Sequence, residues 1–212
     1  MRKYIKILLL TILTCVLLSF PTYAKKPNYK KIYGKVLKQK AISIMEYGRY
    51  YTYGPLQYFT LIDIDKNGKK ELIATVDSFG GNRMYCIYTI KGKKAKLIQS
   101  SEAWFSDNSI EYNKTKKCII LHQHGGTGLS GREVYKIKKG KIVSVTAMQE
   151  YHTFENNKYV VYYSKYVPKG KYGGLFHCSK AEYYKLYNKY CRKVKTHTLY
   201  AISENNRRKY LK

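Results

Sequence analysis

The chain has 212 residues, 41 of them lysine or arginine against 13 acidic, and a formal net charge of +28 at pH 7. That length suits one domain with a real core. The charge draws polyanions rather than cations. Past the first residues no stretch is long or apolar enough to cross a membrane as a helix.

In chain order, residues 1–24 read as a signal peptide. Arg2, Lys3 and Lys6 precede an apolar run at 7–18, and Ala24 closes a small-residue cleavage site before Lys25. Cys15 offers a lipoprotein reading, disfavoured because the apolar run continues beyond it to Leu18. The expectation is a single secreted domain over 25–212, extracellular and held at a cell surface, if at all, through charge. Its net charge falls to +25 once Arg2, Lys3 and Lys6 leave. Residues 29–47 fit a helix, with Ile32, Tyr33, Val36, Leu37, Ala41, Ile44 and Met45 on one face and lysines on the other.

From Tyr58 to Ser164 the pattern turns to β. Runs at 58–62 and 72–76 flank Asp63-Ile64-Asp65-Lys66-Asn67-Gly68-Lys69-Lys70-Glu71. Asp63, Asp65 and Asn67 take positions one, three and five of a metal loop, and Gly68 permits the bend. Lys69 would offer its carbonyl at position seven and Glu71 its carboxylate at nine, an oxygen set that suits Ca²⁺. Position twelve is Ala74, not the glutamate of an EF-hand, and the flanks are strands. The plain alternative is an Asp/Asn/Gly hairpin without metal.

Tyr88-Thr89-Ile90-Lys91-Gly92-Lys93 recurs 47 positions later as Tyr135-Lys136-Ile137-Lys138-Lys139-Gly140-Lys141. At that offset Leu72-Ile73 matches Ile119-Ile120. Residues 62–99 and 109–146 thus read as two copies of a unit of about four strands. In the second copy, Ile110, Tyr112 and Lys114 stand where the loop ligands stood. A weaker echo turns at Asn156-Asn157-Lys158. Ser179 and Glu182 fit a capping box that opens a helix over 180–195, and Ser203 starts a last short helix through Leu211.

Other motifs carry less. His122 and His124 share one side of a strand, but no third zinc ligand is near, and Gly125-Gly126 reads as a hairpin turn. Cys118 beside these histidines is formally a nucleophile, yet an apolar strand makes a core thiol the default. The exported chain keeps Cys86, Cys118, Cys178 and Cys191. Cys178–Cys191 is disfavoured, because the intervening helix separates them by about 18 Å. Cys86–Cys118 and free thiols both remain open. The 25 tyrosines serve core, strand or stacking platform.

The stretch from Asp63 to Leu72 resembles the calcium loop of FG-GAP or VCBS-type repeats. That implies Ca²⁺ between neighbouring strands of propeller-like blades, with Asn67 in place of the usual third aspartate. Two units cannot close a propeller. The wider layout, including Asn206-Arg207 through Tyr210-Leu211, resembles secreted proteins of Gram-positive, clostridia-like bacteria. The expected fold is α+β: a curved antiparallel sheet of two repeated hairpin units, flanked by an N-terminal and a C-terminal helix. The expected function is a non-catalytic, calcium-stabilised binding or surface-associated domain. Its basic surface would suit an anionic polymer or acidic partner. The alternatives are a hydrolase of a polyanion and an extracellular nucleic-acid-binding protein.

Overall fold

A computed structural model describes residues 27–46, 49–78, 83–103, 109–125, 128–156, 158–167 and 174–212. The expected signal peptide, the Gly80-Gly81 turn, Trp104 and Gly126-Thr127 lie outside these residues. Among the described residues the chain is mostly β, with three helices and open antiparallel sheets, which is an α+β fold.

The single curved sheet expected from the sequence is two stacked sheets. In the first, β3 (Tyr58–Ile62), β4 (Glu71–Asp77), β5 (Arg83–Lys91) and β6 (Lys94–Ala103) form a meander. The two-residue β14 (Tyr200–Ala201) adds to its β3 edge. In the second, β7 (Ser109–Asn113), β8 (Cys118–Gly125), β9 (Leu129–Lys138) and β10 (Lys141–Glu155) form another meander. It continues through β11 (Lys158–Val167) and β12 (Gly174–His177), with β13 (Lys195–Thr198) beside β7.

The strand composition explains the stacking. In β4, Leu72, Ala74 and Val76 face one way and Ile73 the other, and all four are buried. A strand apolar on both faces needs cover on both. Ile73, Tyr85 and Ile87 meet Ile119, Leu121 and Tyr135 of the second sheet in a shared core. The other face of the first sheet packs on α1 (Tyr29–Val36), on Leu211, and on Ile42 and Ile44 of a hairpin formed by β1 (Ile42–Glu46) and β2 (Arg49–Tyr53). Tyr210, which ends α3 (Glu204–Tyr210), packs against the same cluster. The outer face of the second sheet packs on α2 (Lys180–Tyr190) through Tyr183 and Tyr190. The layers therefore run helices, sheet, sheet, helix.

The helix expected over 29–47 ends at Val36, and residues 42–46 are strand. Ile42 and Ile44 are buried while Met45 is 57% exposed, an alternation of period two. The helix expected to 195 ends at Tyr190, but its capping box is as read: Ser179 Oγ accepts from the Glu182 amide at 3.2 Å. Among the described residues Cys86, Cys118, Cys178 and Cys191 form no disulfide. Cys86 lies in the core under α1, and Cys118 lies with Cys191 in the core under α2. The two sheets separate Cys86 from Cys118, which rules out their pairing.

The second loop differs from its expected form. Ile62 faces Glu71 across a connection spanning 63–70, whereas Asn113 faces Cys118 across a turn spanning 114–117. Ile110 and Tyr112 are therefore strand residues of β7, not substituted loop ligands. This connection is shorter than the one between β3 and β4, and Asn113 Oδ1 closes it by accepting from the Lys116 amide at 2.9 Å.

Candidate metal centre

The loop between β3 and β4 is pinned from inside by Ile64. This residue is fully buried between the sheets. Alternation then turns Asp63 and Asp65 away from the core. Asp63 Oδ1 accepts from the Asn67 amide and Oδ2 from the Gly68 amide, each at 3.0 Å. Gly68 has φ +84°, the left-handed conformation expected of the bend. Asn67 donates from Nδ2 to Asp65 Oδ2 at 3.0 Å and accepts at Oδ1 from the Lys69 amide at 2.8 Å.

Glu71 completes the cluster from the first residue of β4. It is only 1% exposed. Its Oε2 accepts from the Ile64 amide at 3.0 Å, and Oε1 lies 3.4 Å from Thr89 Oγ1. Ligand oxygens of Asp63, Asp65 and Glu71 all lie within 4.8 Å of one another. Burial pushes the Glu71 carboxyl up to about 7; the Ile64 amide opposes this, and the negative charges of Asp65 and Asp63 add to it. A buried carboxylate facing two others is costly when ionised, and a bound cation offsets that cost.

The donor chemistry fits a hard divalent cation, since every converging group is a carboxylate oxygen. Of the five residues read from the sequence, the structure brings together Asp63, Asp65 and Glu71. Asn67 and Lys69 form the adjoining turn, with the Asn67 oxygen directed at an amide and the Lys69 side chain in solvent. Lys66, Lys70, Lys114 and Lys195 line the recess beside Asp63, so a cation entering there meets opposing charge.

Three tyrosines that the sequence reading did not connect with this loop tie it to the layers around it. The Tyr33 hydroxyl donates to the Lys70 carbonyl at 2.8 Å, and the Lys70 amide donates to the Tyr29 hydroxyl at 2.9 Å. From the second sheet, the Tyr112 hydroxyl sits 3.1 Å from the Asp63 carbonyl and 3.2 Å from that of Ile64. The loop is thus a junction of α1 and both sheets. The abundance of tyrosine was the available signal, but it marks no particular position.

The remaining candidates resolve into packing. His122 Nε2 lies 3.0 Å from Glu111 Oε2, across from β8 to β7. The His124 side chain lies outside the described residues. Cys118 is fully buried, and burial pushes its thiol up to about 11, so it stays protonated near neutral pH and offers no thiolate. No family model matches the chain, and no curated protein and no solved structure matches it.

Proposed function

We propose that this chain is a secreted, non-catalytic binding domain stabilised by one structural Ca²⁺, with a basic surface that takes an anionic partner. The observation that carries the metal reading is Glu71. A carboxylate at 1% exposure, aimed at two further carboxylates, carries a cost that the Ile64 amide and the Thr89 hydroxyl only partly offset. Ca²⁺ at Asp63, Asp65 and Glu71, completed by loop carbonyls or water, would offset the rest.

In this reading β3–β6 and β7–β10 are two copies of one unit, akin to neighbouring FG-GAP or VCBS blades. Strand register supports it. Leu72 faces Tyr88 as Ile119 faces Tyr135, and Lys91 faces Lys94 as Lys138 faces Lys141, all 47 positions apart. The register slips at Ile98 in one meander and at Val145 in the other, again 47 apart. Bulges at matching positions are specific features rather than accidents of pairing. At the same offset, Glu71 corresponds to Cys118, equally buried. The carboxylate occurs where the connection is long and acidic, and a thiol where it is short. Helices cover both outer faces, as caps do in stacked repeats, so two blades need no third.

The test is calorimetry with CaCl₂ on protein stripped by a chelator. One ion should bind per chain, at about 10⁻⁴–10⁻³ M as in extracellular modules. Folded protein that binds no Ca²⁺ at millimolar concentration overturns the metal reading.

A further inference from the structure

We propose that the groove between α1 and α3 docks a flexible, base-free polyphosphate chain, the chemistry of a polyol-phosphate wall polymer. This rests on the anionic-partner reading above and gives it a place. The groove has a volume of about 560 Å³. Lys30, Lys31, Lys35 and Lys38 line it from α1 and its C-terminal end, and Arg207 and Arg208 line it from α3. The acid on its wall, Glu204, is paired with Arg208.

Two features of α1 are unfavourable to the helix and favourable to an anion. Lys30 and Lys31 occupy its first turn, which holds no acidic residue, although the helix dipole disfavours cations there. Gly34 sits in the interior of the helix, which costs about 1 kcal/mol relative to alanine. A Cβ built at Gly34 would meet no atom within 4 Å, so packing does not demand glycine. Gly34 leaves the groove floor bare between the four lysines.

The cationic surface continues past this groove. On the opposite flank of α1 a second recess of about 560 Å³ shares Lys31 and Lys35 and adds Lys69, Lys93 and Lys94. A chain lying across α1 would meet both. Ammonium groups act as point charges for phosphate, and the Arg207 guanidinium on the groove wall adds a fork that matches phosphate oxygens. Among the described residues neither recess has an aromatic side chain on its lining, so bases would find no stacking platform there. That separates this surface from a single-strand nucleic-acid groove, and its concavity separates it from a bilayer-binding face.

The test uses the full secreted chain with CaCl₂ and fluorescently labelled long-chain inorganic polyphosphate, read by anisotropy. K31E/K35E should weaken binding by at least about tenfold, since each lost contact forfeits counterion release. K139E/K141E, the same charge change on the β9–β10 hairpin, should weaken it by less than about threefold. Gly34→Met keeps the net charge and fills the floor; it should melt no lower than wild type yet bind several-fold more weakly. Oligo-dT should compete no better than unlabelled polyphosphate of equal charge. Equal losses from the two charge-reversed pairs, or unchanged binding by Gly34→Met, overturn the site while leaving a generally basic, anion-attracting surface. Stronger competition by oligo-dT overturns the base-free partner. Absence of binding at low salt overturns both the site and the anionic-partner reading.

Discussion

Replacing Glu71 with glutamine separates the charge of that carboxyl from its shape. Its carboxyl is held at about 7 rather than 4.5. Ionising it in the folded, metal-free protein therefore costs about 3 kcal/mol relative to the unfolded chain. A carboxyl raised on folding keeps its proton more tightly in the folded state. Its share of stability is intact below 4.5 and is lost as pH rises toward about 7. Glutamine keeps an oxygen for the Ile64 amide and carries no charge. In EGTA the wild-type protein should lose stability between about pH 5 and about pH 8, and Glu71→Gln should escape that loss. At the upper pH the variant should melt about 6–12 °C higher, taking about 2–4 °C per kcal/mol for a chain of this size. Saturating CaCl₂ should reverse the order, because the ion stabilises the carboxylate and gives the neutral amide much less. Melting curves followed by circular dichroism at both pH values, with EGTA or CaCl₂, contain the whole test. Parallel pH profiles in EGTA would show that Glu71 carries no uncompensated charge. An undiminished calcium response in the variant would remove it from the ligand set.

Two further substitutions probe the loop. Gly68→Ala puts a side chain at φ +84° with nothing within 4 Å to clash. It should cost about 1–2 kcal/mol through the backbone alone, seen as a lower melting temperature; an unchanged melt would mean the bend is not held in that conformation. Tyr112→Phe keeps the ring but removes the hydroxyl beside the Asp63 and Ile64 carbonyls. It should lower stability by about 1–2 kcal/mol in chemical denaturation, and a neutral result would mean this tie between the sheets contributes nothing.

The loop was legible because its constraints are local. Alternating acids, a buried Ile64 between them and a left-handed Gly68 are all written within nine residues, and so is the Ser179–Glu182 capping box. Ranges governed by packing were read less well. Residues 41–46 carry Ile44, which satisfies both the helical and the strand period, and only the burial of Ile42 against exposed Met45 decides for strand. The end of α1 at Val36 has no glycine to announce it; Leu37 closes it in a right-handed conformation. The division into two sheets was implicit in β4 and β5, whose residues are apolar on both faces. Yet periodicity does not say whether a second sheet or a helix supplies the cover. Glu71 was legible as a candidate ligand at position nine, and the structure does bring it to Asp63 and Asp65. That it would be buried, and therefore raised in pKa, follows from Ile62 and Thr89 around it and not from the loop motif.

The acidic loop and the cationic groove both adjoin α1, and under the two proposals above this would couple a structural ion to anion binding. The helix spans only residues 29–36 and carries Lys30, Lys31 and Lys35, so alone it would be marginal and self-repelling. Docking orders it. Its inner face presents Tyr29 and Tyr33, both buried, whose hydroxyls bond the amide and carbonyl of Lys70. Lys70 is the residue before Glu71. An ion that fixes Glu71 against Asp63 and Asp65 therefore fixes the backbone on which α1 rests. The opposite face of the helix then holds its lysines toward α3 and toward the β5–β6 turn, where Lys93 and Lys94 lie. On this geometry a Ca²⁺ held by Asp63, Asp65 and Glu71 would not itself contact the proposed anionic partner. It would set the position of the lysines proposed to make that contact.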